Sequence, residues 1–207
     1  MNLGDMRRQV RIRGNVSETD MVWTAAFVNA AINEALTQIS LEQPWWWLQD
    51  TETTTATDGV VDLSVVTPAI RDITNVFVGD DEAKKVSVSE TDATSLIGPE
   101  DARYVFSVWG DTLQLRPSPA DTAVVKIRYY RDEPLLTADA SEPLMPDVYH
   151  PSVVEKACAI CFESVGEPGP ASMHEARSRS LVSHMVATAL RRLRGRHSVR
   201  VRSGYPY

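Results

Sequence analysis

The spacing of apolar residues changes period twice along this chain, and that change restricts the folds open to it. In the first part Met21, Ala25, Val28, Ile32, Ala35 and Ile39 recur at alternate intervals of four and three. This is one face of an amphipathic helix, expected over 21–41, with Ser17-Glu18-Thr19-Asp20 as capping chemistry before it and Pro44 after it. A shorter helix is predicted over 3–12, stopped by Gly14. From about Gln49 to Arg131 the period falls to two. Thr- and Val-rich runs lie between turn signals at Asp58-Gly59, Thr67-Pro68, Gly79-Asp80-Asp81, Gly110-Asp111 and Pro117-Ser118-Pro119. Strands are expected near 50–57, 60–65, 71–78, 84–88, 103–109, 112–116 and 122–131. The segments on either side of Gly110-Asp111 should form a hairpin. A short helix is placed at 90–97, with Thr91 as its cap.

Beyond Arg131 the helical period returns. Pro134, Pro143, Pro146 and Pro151 space a connector that Leu135-Leu136 and Leu144-Met145 should anchor. Pro151 suits a first helical position, and a helix to Val165 would bury Val154, Ala157, Cys158, Cys161 and Phe162. After a break at 166–170, a last helix over 172–193 would use Leu181, His184 or Met185, Ala189 and Leu190, with Gly195 at its end. The fold class is therefore α+β. About four helices, drawn from both ends of the chain, form a core (1–48 and 132–194). A β-rich module is inserted at 49–131, and 195–207 is an extended arm.

Net charge is −7, but its distribution is more informative than its sum. Eight of the 21 basic residues, all arginine, lie between Arg177 and Tyr207, and none of the 28 acidic residues does. Residues 1–176 therefore carry −15 and the remainder +8. Such a body resists unwanted association while its arm is suited to an acidic partner. No apolar run is long enough to span a membrane, and the opening MNLGDMRRQVRIRG lacks the apolar stretch of a signal peptide.

Catalytic constellations are missing from the sequence. It contains no G-x-x-x-x-G-K-[ST], G-x-G-x-x-G, G-x-S-x-G or H-E-x-x-H. His150, His174, His184 and His197 lack metal-ligand spacing and read as partly exposed residues. Cys158 and Cys161 have no second pair to complete a zinc site and read as reduced thiols on a buried helix, which fits a reducing compartment. Asp80-Asp81-Glu82 and Glu100-Asp101 read as solvated turns or as an acidic surface facing DNA. No catalytic residue, cofactor or metal is expected.

Two features point to partners. Trp45, Trp46 and Trp47 cannot share one face of regular structure. They form either a core plug or, through at least one indole, a subunit interface. The arginine arm has three readings: a nucleic-acid arm, a solvated helix end, or a segment docking in an acidic protein groove. Val199-Arg200-Val201-Arg202 alternates as a strand does, which favours protein docking by strand addition.

The order of parts resembles the head-to-tail adaptor proteins of tailed bacteriophages, including the tail-tubular type. The carrying segments are LGDMRRQV (3–10), FVNAAINEAL (27–36), QPWWWL (43–48), LQLRPSPADTAVVKIRYYRDEPLL (113–136) and MPDVYHPSVVEKA (145–157). The resemblance implies a structural subunit of the virion, assembled in the host cytoplasm, forming a dodecameric ring that joins portal to tail. The genome would pass through its lumen without sequence-specific binding. Arg191, Arg192, Arg194, Arg196, Arg200, Arg202, Tyr205 and Tyr207 would contact the portal, and the β-module would face a downstream tail or stopper protein. The alternative is a DNA-binding protein that uses the basic arm.

Overall fold

The computed structural model describes residues 1–66, 69–93 and 103–196, without the side chains of residues 90, 92, 93 and 192–196. Two compact units emerge. One comprises Met1–Trp47 with the chain from Glu133 onward, and the other is Leu48–Asp132.

Four long helices build the first unit: α1 (Leu3–Gly14), α2 (Ala25–Leu41), α4 (His150–Ser164) and α5 (Pro168–Arg196). Helix α4 is central, packing on α1, α2 and α5. On α2 the expected stripe is buried at Val28, Ile32, Ala35 and Ile39, but it starts a turn later than its spacing implied. Asp20 spends its carboxylate on the N–H groups of Val22 and Trp23, each 2.8 Å away, and so makes a separate turn. Thr24 caps α2 instead, through Phe27 N–H. Met21 and Ala25 consequently lie exposed.

Helix α1 ends at Gly14 as expected, but Gly14 does not supply the left-handed residue. The left-handed cap falls to Asn15 (φ 53°, ψ 41°), whose N–H reaches Arg11 and Ile12 carbonyls. What Gly14 answers to is Trp23: a Cβ there would lie 2.7 Å from the indole Cζ3. The ring has little room to yield. Phe162 meets it edge-on at 5.0 Å, and Arg11 Nη2 donates to its backbone carbonyl at 2.9 Å.

In the connector, Leu136 and Met145 are buried as expected, but Leu135 is exposed. Asn33 on α2 holds Leu136 by both backbone groups, donating to its carbonyl and accepting from its N–H. Arg7 grips Asp139 with two bonds of 2.8 Å. Helix α5 departs most from expectation. It begins at Pro168 and continues through Gly195, and its buried positions are His174, Ser178, Val182 and Met185. Leu181, His184 and Leu190 lie on exposed positions instead. Two of the four buried positions are polar, His174 and Ser178, and so are invisible to a search for apolar spacing.

The second unit is a seven-stranded sheet: β1 (Gln49–Thr55), β2 (Val60–Asp62), β3 (Ile70–Val78), β4 (Asp81–Lys85), β5 (Val105–Trp109), β6 (Thr112–Arg116) and β7 (Val124–Arg131), with the short helix α3 (Val88–Ala93). Strand order is β1-β7-β3-β4-β5-β6-β2, antiparallel throughout except β4 with β5. Asp58 (φ 52°) and Gly59 (φ 79°) form the two-residue turn that their identities announce, closed by reciprocal Thr57–Val60 backbone bonds. Inward side chains from six strands, among them Val76, Phe106, Leu113, Leu115, Val125 and Ile127, share one core with Ala56. Strand β2 is shorter than expected, and β4 starts three residues earlier. The expected turn at 67–68 and residues 94–97 of the expected helix lie outside the described residues, while the helix starts two residues earlier, at Val88.

Gly14→Val should destabilise the protein by about 1–3 kcal/mol, because the added methyls must displace a ring that is already boxed in. Urea unfolding of the variant against the parent measures this.

Candidate functional site

Helix α4 carries a carboxylate into the interior of the helical unit. Glu155, 7% exposed, pairs through Oε1 with Arg13 of α1. Its Oε2 lies 2.6 Å from His174 Nδ1 on α5. A carboxylate held by a guanidinium only accepts, so Nδ1 carries the proton. Phe162 stacks on the imidazole at 5.5 Å and 11°, and Trp23 meets Phe162 edge-on at 5.0 Å. One acidic side chain thus joins three helices. Around α4, Lys156 donates to both oxygens of Glu175 on α5, and Arg179 adds a third bond at 3.0 Å. Burial pushes the Glu175 carboxyl up, but these two cations outweigh it and hold it below its ordinary range.

The histidines are not uniformly partly exposed as the sequence implied. His150 and His174 are buried, His184 is exposed, and His197 lies outside the described residues. His150 Nε2 lies 2.8 Å from the Met145 carbonyl. Burial lowers its pKa below the usual histidine value, against opposing pulls from that carbonyl and from Asp147. Cys158 and Cys161 are buried free thiols whose pKa is pushed up to about 12, chiefly by desolvation. Among the described residues, no group of three His, Cys, Asp or Glu side chains is placed to hold a metal. Asp81 pairs with Arg103, and Glu82 accepts from Asn75, so both are engaged at the surface of the sheet. Glu100 and Asp101 lie outside the described residues. Among the described residues, no helix is long and apolar enough to cross a membrane.

The three tryptophans divide between core and surface. Trp45 is fully buried and donates Nε1–H to the Ile39 carbonyl at 2.7 Å. Trp47 stacks on it at 4.6 Å and reaches Tyr149 at 5.7 Å. Trp46 stands edge-on to Trp47 and is 40% exposed.

Of the arginines expected to bind a partner, Arg191 is exposed on α5, and Arg192, Arg194 and Arg196 continue the same helix. Arg200, Arg202, Tyr205 and Tyr207 lie outside the described residues. Between Val186 and Arg191, α5 buries no side chain. Sequence reasoning missed the Arg13–Glu155–His174 junction. A glutamate inside an apolar helical stripe was the available signal, since a carboxylate there needs a partner.

A helical core from both chain ends, with a β-module inserted between them, is the architecture that the sequence resemblance implies. The chain belongs to the SU10 adaptor protein family, whose model matches residues 1–204. No curated protein gives a significant match. Its role is accordingly structural, as an adaptor of a phage particle.

Two outcomes follow from the buried groups. Glu155→Ala should cost about 3–5 kcal/mol, because it leaves Arg13 and His174 without their shared acceptor. Urea denaturation measures this, and a change under about 1 kcal/mol would contradict the bracing role. For His150 the folded pKa lies below the unfolded value of about 6.5, so the unfolded chain takes up the proton first. Stability should therefore fall as pH drops from about 6.5 towards the lowered folded-state value, and His150→Gln should flatten that slope in urea titrations across the range.

Proposed function

We propose that this chain forms a dodecameric ring joining the portal of a tailed phage to its tail, and that the genome passes through the lumen during ejection. The observation carrying this reading is the family match over residues 1–204, which includes both units and the arginine-rich end together. In this reading the protein is assembled in the host cytoplasm and carried in the virion.

The arm from Arg191 to Tyr207 is the portal contact. Two observations support that assignment. No acidic residue follows Glu175, so the end of the chain is purely basic. From Val186 to Arg191, α5 buries no side chain, so this stretch remains available to a partner. Arg191, Arg192, Arg194 and Arg196 extend the helix, and Arg200 and Arg202 alternate with valines in a pattern suited to adding a strand to an acidic portal groove. Tyr205 and Tyr207 supply aromatic anchors. The β-module serves the downstream tail or stopper protein. Trp46, the exposed member of its cluster, meets a neighbouring copy, while Trp45 and Trp47 hold it in place. An acidic body lets DNA pass without capture.

Electron microscopy of the chain mixed with its portal should show rings seated on the portal, and truncation after Leu190 should abolish that binding. Retained binding after truncation would remove the arm from the contact. Submicromolar, salt-sensitive binding to duplex DNA, lost when 191–207 are deleted, would favour the DNA-binding alternative instead.

A further inference from the structure

The helical unit carries an exposed apolar knob and, at the other end of α4, an apolar groove. The knob is Met21 and Val22. Met21 is 92% exposed, yet the turn presenting it is fixed. Asp20 accepts from the N–H groups of Val22 and Trp23, and the Trp23 ring is packed against Phe162 in the C-terminal half of α4. The groove encloses about 200 Å³ and is lined by Val148, Tyr149, Pro151, Leu181, Met185 and Thr188, with His184 at its side. It exceeds the roughly 150 Å³ cavity that takes up a benzene ring, so it accommodates a methionine side chain. Val148 on its rim is 73% exposed.

Knob and groove cannot satisfy each other within one chain. Ser152, beside the groove, and Phe162, beneath the knob, lie ten residues apart on α4, which is about 15 Å of helix. Their surroundings differ in charge. Residues 15–24 contain Glu18 and Asp20 and no basic residue, and the α1 arginines that act on them, Arg7 and Arg11, are already engaged with Asp139 and the Trp23 carbonyl. On α5, Arg177, Leu181, His184, Thr188 and Arg191 follow at intervals of four, three, four and three, so exposed arginines stand at both ends of the groove's stripe. The groove also adjoins the proposed contact at Trp46, because its lining residue Tyr149 packs on Trp47, which packs on Trp46.

From this we infer that Met21 and Val22 of one copy insert between the 147–151 turn and α5 of the next, with Glu18 and Asp20 facing Arg177 and Arg191. The contact joins two different surfaces, so it repeats from copy to copy, as a ring requires, rather than stopping at a symmetric pair. This inference rests on the proposed ring and deepens it.

The test uses the full chain assembled on its portal. Met21→Glu and Leu181→Glu each change an exposed residue, and each should abolish rings while thermal unfolding stays unchanged. Mixing the two variants leaves one intact knob and one intact groove, and should restore heterodimers but not rings. A bismaleimide should join Met21→Cys chains to Leu181→Cys chains and neither to itself, since the native thiols are buried. Rings that persist in both Glu variants, or crosslinks of Met21→Cys to itself, would overturn the knob-and-groove contact while leaving the ring standing. A parent chain that forms no ring on the portal would overturn the ring, and this contact with it.

Discussion

A carboxylate inside a helical bundle must be neutralised where it sits, since moving an unpaired charge out of water costs more than the packing around it returns. Glu155 meets this requirement by drawing on two other helices at once, Arg13 from α1 and His174 from α5. The pairing sets how α5 is rotated. To bring His174 inward, α5 must also face Ser178, Val182 and Met185 to the core, which leaves Leu181 and Leu190 outside. The same choice fixes the far end of α1. With Arg13 reaching α4, Gly14 comes against Trp23, and the ring fills the space between α1 and Phe162. Rotation, rather than secondary structure, is what this one side chain dictates.

The surfaces left over by that arrangement are the ones on which the proposed contacts fall. A helix turned to satisfy a buried glutamate presents leucines and arginines to its surroundings. The chain belongs to a phage adaptor family, and exposed apolar residues of this kind are the ones that the proposed ring contacts would cover. Trp46 has the same origin. Two indoles satisfy the core, Trp45 by its hydrogen bond and Trp47 by stacking, and the third cannot follow them inward.

What the sequence made legible divides along physical lines. Period alone located α2, α4 and most strands, because an apolar stripe or an alternation several residues long buries its apolar side chains together in one conformation only. The Asp58-Gly59 turn was equally readable, since two consecutive residues with positive φ leave little choice of side chain. Local capping was read less well. Ser17 to Asp20 looked like the start of a helix, but Asp20 found two nearer N–H groups and closed a turn of its own. The inward face of α5 was unreadable by hydrophobicity, because a histidine and a serine stand among its buried positions. At the candidate site, the arginines could be named from composition, whereas the junction at Glu155 depends on residues 142 and 19 positions away and takes shape only in three dimensions.

The sheet joins the helical unit through two neighbouring strands. Gln49, one residue into the inserted unit, pairs directly with Tyr130, near its end, and β1 stays paired with β7 over all of its own length. A segment whose two ends are already hydrogen-bonded to each other asks of its host only that one short gap be bridged. Such a cassette can lengthen, lose strands or be exchanged over evolutionary time while the helical scaffold keeps its sequence. The expected record of descent is therefore uneven: relatives of this chain should share its helices and differ chiefly in what lies between residues 48 and 132.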